Sequence, residues 1–101
     1  MRYINIDKNL IPYEFEISLK NETYQFEVLY NTVGDFFTIN LYKDHELIRY
    51  GEKVVYNVPL FENLQHLGVP KVWIFPHDTT NQANRITFEN MNEDVFLYVL
   101  D

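Results

Sequence analysis

The sequence predicts an all-β protein, mostly antiparallel: a small β-sandwich or partly closed barrel with one short helical turn. Three observations predict it. Apolar and polar residues alternate with period two in several short runs, as half-buried strands require. Polar turns separate these runs at short, regular intervals. Aromatic residues make up 17% of the chain, with eight Tyr and eight Phe, and rings of this kind pack well on pleated surfaces.

The first clear strand is Tyr13 to Leu19, in which Tyr13, Phe15, Ile17 and Leu19 share one face and Glu14, Glu16 and Ser18 the other. Lys20-Asn21-Glu22 is a polar turn, and residues 24–30 alternate again, so the two runs read as a β-hairpin. The next turn holds Gly34, which is free to take positive φ. Residues 36–42 form a third strand with Phe37, Ile39 and Leu41 on one face. After the polar turn Lys43 to Glu46, the next strand is predicted at 53–57, beyond Gly51. The first half is thus an antiparallel meander.

Leu60, Phe61, Leu64 and Leu67 recur at helical spacing between Pro59 and Gly68, which predicts a short helix or helical turn. Strands are expected at 72–75 and at Ile86-Thr87-Phe88, with polar links between them. The run Val95 to Leu100 is almost wholly apolar, which predicts a central strand buried on both faces. The expected core is Phe15, Ile17, Phe26, Val28, Phe37, Ile39, Leu41, Ile74, Phe96 and Tyr98.

At 101 residues the chain is expected to form one domain, 1–101, without internal repeats or linkers. There is no Cys, hence no disulfide framework and no thiol nucleophile. The first residues lack the apolar stretch of an export signal, and no apolar run reaches membrane-spanning length. Fifteen acids against eight bases give a net charge of −7, which disfavours nucleic acid and anionic membranes as partners.

No catalytic or cofactor constellation emerges, so no enzyme activity is expected. A metal site would need His45, His66 and His77 to converge from three loops, and they read instead as surface turn residues. Ser18 is the only serine and lies mid-strand, without the sharp elbow of a nucleophile. Glu14 and Glu16 share a face as solvated strands often arrange them. No glycine-rich phosphate loop is present.

The remaining signal is surplus aromatic material. A domain of this size has a limited interior, so some rings are expected to meet a partner. Tyr3, Tyr50, Tyr56 and Trp73 are the candidate assembly contacts, with Arg49, Lys53 and Arg85 as bases able to offset the net negative charge across a contact. A homo-oligomer is expected, as a trimer or hexamer, because closed rotational symmetry is the usual outcome.

The order of landmarks is also informative. A Pro-containing turn ends the opening segment Ile4 to Pro12; Tyr30-Asn31 closes an aromatic strand; Gly34-Asp35-Phe36-Phe37 leads into a Leu-containing strand; Leu47, Gly51 and the Leu60 to Leu67 turn follow; Leu97-Tyr98-Val99 ends the pattern. Over nearly its full length the chain resembles the small baseplate plug proteins of tailed phages and phage-derived contractile particles, which usually carry Trp where Phe37 stands. The resemblance implies a virion structural protein of the tail baseplate, made in the bacterial host cytoplasm, that touches the hub and tube end and has neither cofactor nor catalysis. The alternative is a free-standing β-sandwich binding module, either carbohydrate-binding or an acidic inhibitor. The spread of acids from Asp7 to Asp101 counts against the inhibitor.

Overall fold

The computed structural model describes residues 2–100. Among these described residues seven strands form two antiparallel sheets. Strands β2 (Tyr13–Leu19), β3 (Glu22–Asn31), β4 (Phe36–Lys43) and β5 (Glu46–Lys53) make a four-stranded meander in chain order. Strands β1 (Arg2–Ile4), β6 (Trp73–His77) and β7 (Phe96–Leu100) make a three-stranded sheet in the order β1-β7-β6. Both sheets stay open, so the architecture is a sandwich and not a closed barrel. The last strand is central in its sheet, as expected.

The β2–β3 hairpin follows directly from its sequence. Lys20 and Asn21 both adopt positive φ, 50° and 66°, between the paired Leu19 and Glu22. This two-residue turn twists with the strands it joins. It sets Tyr13, Phe15 and Ile17 opposite Val28, Phe26 and Tyr24. All six side chains lie on the core side, yet Phe15 and Ile17 are only half-buried because β2 is the sheet edge. Tyr24, absent from the expected core, is fully buried, and its hydroxyl donates to Glu22 Oε2 at 3.0 Å.

At the next turn it is Asp35, not Gly34, that takes positive φ, at 54°. Gly34 serves a different purpose: a Cβ there would lie 2.5 Å from Cε1 of Phe36.

The strand expected at 53–57 starts earlier, at Glu46, and ends at Lys53. Gly51 does not break it but passes through at φ 72°, next to register shifts around Leu41. These shifts leave Asn40 paired with Glu27 on β3 but without a partner on β5, and its buried carboxamide replaces one. Asn40 Nδ2 donates to Glu27 Oε1 at 2.9 Å, and Oδ1 accepts the Gly51 N–H at 2.8 Å. Residues 54–57 are the crossing between sheets: Val54 N donates to Phe37 O, and Asn57 N donates to Pro76 O, both at 2.9 Å.

The helical spacing of Leu60 to Leu67 yields one 3-10 turn, Gln65–Leu67, closed by Gly68 at φ 83°. Phe61 and Asn63 at φ 60° and 64° interrupt anything longer. Residues 86–88 form no strand. The Thr87 and Asn90 side chains each accept the other's backbone N–H, folding this stretch into a turn.

The core lies between the sheets, with Phe26, Val28, Phe37, Ile39 and Leu41 facing Ile4, Ile74, Leu97 and Val99. On β7 the expected face is reversed. Val95, Leu97 and Val99 point inward, whereas Phe96 and Tyr98 are half-buried on the outer side. A continuous apolar run carries no alternation that could fix this choice.

Candidate assembly surfaces

The inverted β7 creates the most distinctive surface of the molecule. Register places Tyr3 and Phe75 on either side of Tyr98, His77 opposite Phe96, and Trp73 opposite Leu100. The outer face of the three-stranded sheet is therefore a continuous aromatic layer. Tyr3 lies 4.7 Å from Phe96 and 6.3 Å from Tyr98, and Phe75 lies 6.3 Å from Tyr98. Tyr3 is 49% exposed and Trp73 63%. No Asp, Glu or Lys occurs in these three strands. A soluble sheet face normally alternates apolar-in with polar-out, and this one is apolar on both sides.

The opposite surface of the sandwich is acidic. Glu14, Glu16 and Glu27 point outward from the four-stranded sheet, with Glu14 directly across from Glu27. Burial, followed by the charges of Glu27 and Glu14, pushes the Tyr42 hydroxyl up from its ordinary pKa.

Trp73 also borders an open cleft of about 370 Å³ lined by Pro59, Phe61, Glu62, Gln65 and Pro70. The strained Phe61 backbone is pinned there, its N–H donating to Glu52 Oε2 at 2.8 Å. Arg49 Nε donates to the other oxygen of Glu52 at 3.1 Å.

The seven predicted contacts thus separate. Tyr3 and Trp73 belong to the aromatic layer. Tyr50, 73% exposed, stands on β5 of the other sheet. Tyr56 is half-buried, stacked 6.0 Å from His77, and its hydroxyl accepts the Asp78 N–H at 3.1 Å. The three bases are engaged within the chain: Arg49 with Glu52, Lys53 4.5 Å over the Phe36 ring, and Arg85 donating to Asp35 O at 3.1 Å. Phe75, Phe96, Tyr98 and Leu100 were not among the expected contacts. The available signal was their placement in runs apolar at consecutive positions.

His45 lies in the β4–β5 turn, His66 in the 3-10 turn and His77 at the end of β6. Among the described residues no three His, Asp or Glu come together as a metal-holding group, and no helix is long and apolar enough to cross a membrane.

The loop after β6 is organised by one carboxylate. Asp78, 2% exposed, accepts the N–H groups of Thr80, Gln82 and Ala83 and the Thr80 hydroxyl. Thr80, through its hydroxyl and its N–H, leads the effects that lower the Asp78 pKa from 3.8 to about 2. A depressed carboxylate pKa stabilises the fold above its unfolded value, and that stabilisation disappears as pH falls through the folded value. Unfolding midpoints in urea are expected to decline between about pH 4 and pH 2. Asp78→Asn is expected to flatten that decline and lower stability at pH 7.

A family model described as cyanophage baseplate Pam3 plug gp18 matches residues 1–101. The chain belongs to this baseplate plug family. It is a structural component of a phage tail baseplate, and its place is the virion tail. No curated protein matches the chain in sequence. A baseplate plug works through contacts with other baseplate components, and a layer of rings in strands without Asp, Glu or Lys is the kind of surface such contacts bury. The Phe37 of this plug protein, at the position where the resemblance led one to expect Trp, is fully buried and stacks 6.2 Å from Phe88.

Proposed function

We propose that this plug protein closes or organises the hub and tube tip, docking through the aromatic layer of its three-stranded sheet. The observation that carries the proposal is the apolar outer face formed by Tyr3, Trp73, Phe75, Phe96, Tyr98 and Leu100. Exposed aromatic sheets of this kind are costly in a free protein and favourable in an assembly. Synthesis takes place in the bacterial host cytoplasm, and a trimer or hexamer is the expected assembled form. The acidic face lies on the other sheet, so copies or neighbours meeting through the rings keep their negative charge apart. The residual repulsion is screened by salt, so association is expected to strengthen as salt is raised.

The test is incorporation into particles. The double variant Tyr3→Ser, Trp73→Ser is expected to keep the wild-type circular dichroism spectrum. Its abundance in purified tails, by mass spectrometry, is expected to fall roughly tenfold or more. Wild-type incorporation of a folded double variant would remove the aromatic layer from the docking surface.

One observation favours a second reading. Trp73 beside Glu62, Gln65 and Lys71 is a platform on which a sugar ring could stack while polar groups bind its hydroxyls. Glycan-array binding abolished by Trp73→Ser would support a carbohydrate-binding role.

A further inference from the structure

The four sheet edges are not alike. β1 is only three residues long. The outer edge of β6 is already occupied, since Asn57 N donates to Pro76 O at 2.9 Å and Leu60 N to Ile74 O at 2.7 Å. β5 is bent by Gly51 at φ 72° and its pairing with β4 shifts register, which blunts an edge against further pairing. β2 has none of these protections. It is seven residues long, pairs with β3 in unbroken register, and contains neither Pro nor Lys. Among the described residues no backbone hydrogen bond reaches β2 from any segment but β3.

The turn identifies the free groups. The residues that close a two-residue hairpin exchange both hydrogen bonds, and the pattern then alternates along the ladder. Leu19, Ile17, Phe15 and Tyr13 therefore bond toward β3, while the N–H and C=O groups of Glu14, Glu16 and Ser18 point outward. All three of those residues are exposed. Below this edge Tyr13, Phe15 and Ile17 form a half-buried apolar strip on the core side, with Tyr13 and Phe15 stacked at 5.4 Å. An added strand would cover that strip.

Charge selects the occupant. Glu14 and Glu16 project from the edge itself, and Glu27 stands directly across from Glu14 with no base between them. Like charges opposite one another destabilise a sheet. A second copy pairing β2 to β2 would bring two more such acids into the same face, so the acids oppose self-pairing. We propose that the β2 edge is a strand-addition site for an extended segment of another protein, one that alternates apolar residues with Lys or Arg. The apolar residues continue the Tyr13–Phe15–Ile17 strip and the bases face Glu14 and Glu16. The site is separate from the aromatic layer, which lies on the other sheet, and stands whether or not that layer docks.

Two blocked nonapeptides test the site on the full chain, one alternating lysine with valine and one alternating glutamate with valine. Amide hydrogen exchange at Glu14, Glu16 and Ser18 is expected to be fast in the free chain. Saturating lysine–valine peptide is expected to slow it tenfold or more, and the glutamate peptide to leave it unchanged. Glu16→Pro removes one outward N–H without removing a bond to β3, and is expected to weaken the lysine peptide at least tenfold. The milder double variant Glu14→Gln, Glu16→Gln is expected to weaken it similarly while staying folded. Equal protection by both peptides would overturn the proposal. So would lysine-peptide binding that leaves these three amides unprotected, or protection in the free chain that rises with its concentration, which marks self-pairing.

Discussion

Replacing Phe26 with alanine is expected to lower the unfolding free energy by about 3–5 kcal/mol. Phe26 is 0% exposed and sits mid-strand between Phe15 on β2 and Leu41 on β4. Its ring also meets Phe61, at 6.1 Å, from the link between β5 and β6. Truncation removes a large apolar surface from water-free packing and leaves a cavity that rigid strands on both sides cannot collapse into. Urea unfolding is the measurement, with a lower midpoint and an unchanged slope as the expected signature. Phe15→Ala is expected to cost less, because its ring lies at the open edge and is only half-buried. A loss below about 1 kcal/mol for Phe26 would mean that the hairpin register is wrong by one residue.

That hairpin was legible in the sequence because its two strands alternate cleanly and its turn contains residues that tolerate positive φ. β4 was legible for the same reason. β5 was not, since its pairing depends on Gly51 and on the Asn40 side chain, neither of which leaves a period-two trace. The Leu60 to Leu67 spacing foretold a helical turn, which is confined to Gln65–Leu67 because hydrophobic periodicity does not reveal Phe61 and Asn63 in left-handed backbone. Residues 86–88 look like a strand by composition, but the mutual Thr87–Asn90 bonds offer the backbone a local alternative. Of the outer aromatic layer, Trp73 and Tyr3 were legible as exposed rings in short strands, with more aromatic material than the core can hold. The rest of the layer was hidden in apolar runs that read as interior. The candidate bases illustrate a general difficulty: sequence shows charge, but only the fold shows that Arg49 and Arg85 are already held by Glu52 and Asp35.

β7 allows stability and assembly to be separated on a single strand. Leu97 is completely buried against the opposite sheet, and Leu97→Ala is expected to cost about 2–5 kcal/mol. Its neighbour Phe96 faces outward, half-buried against Tyr3 and Tyr98. Phe96→Ala is expected to cost only about 1–2 kcal/mol, since the ring loses partial burial and opens no interior cavity. Its effect on assembly is expected to be the larger one, because it removes from the aromatic layer the ring that packs against both Tyr3 and Tyr98. Under conditions where both variants are folded, Leu97→Ala is expected to enter tails at wild-type abundance and Phe96→Ala to be depleted. Urea unfolding and mass spectrometry of purified particles read the two effects independently. A reversed pattern, with Phe96 the costlier residue for folding and Leu97 for incorporation, would turn β7 over by one residue and place the docking layer inside the protein.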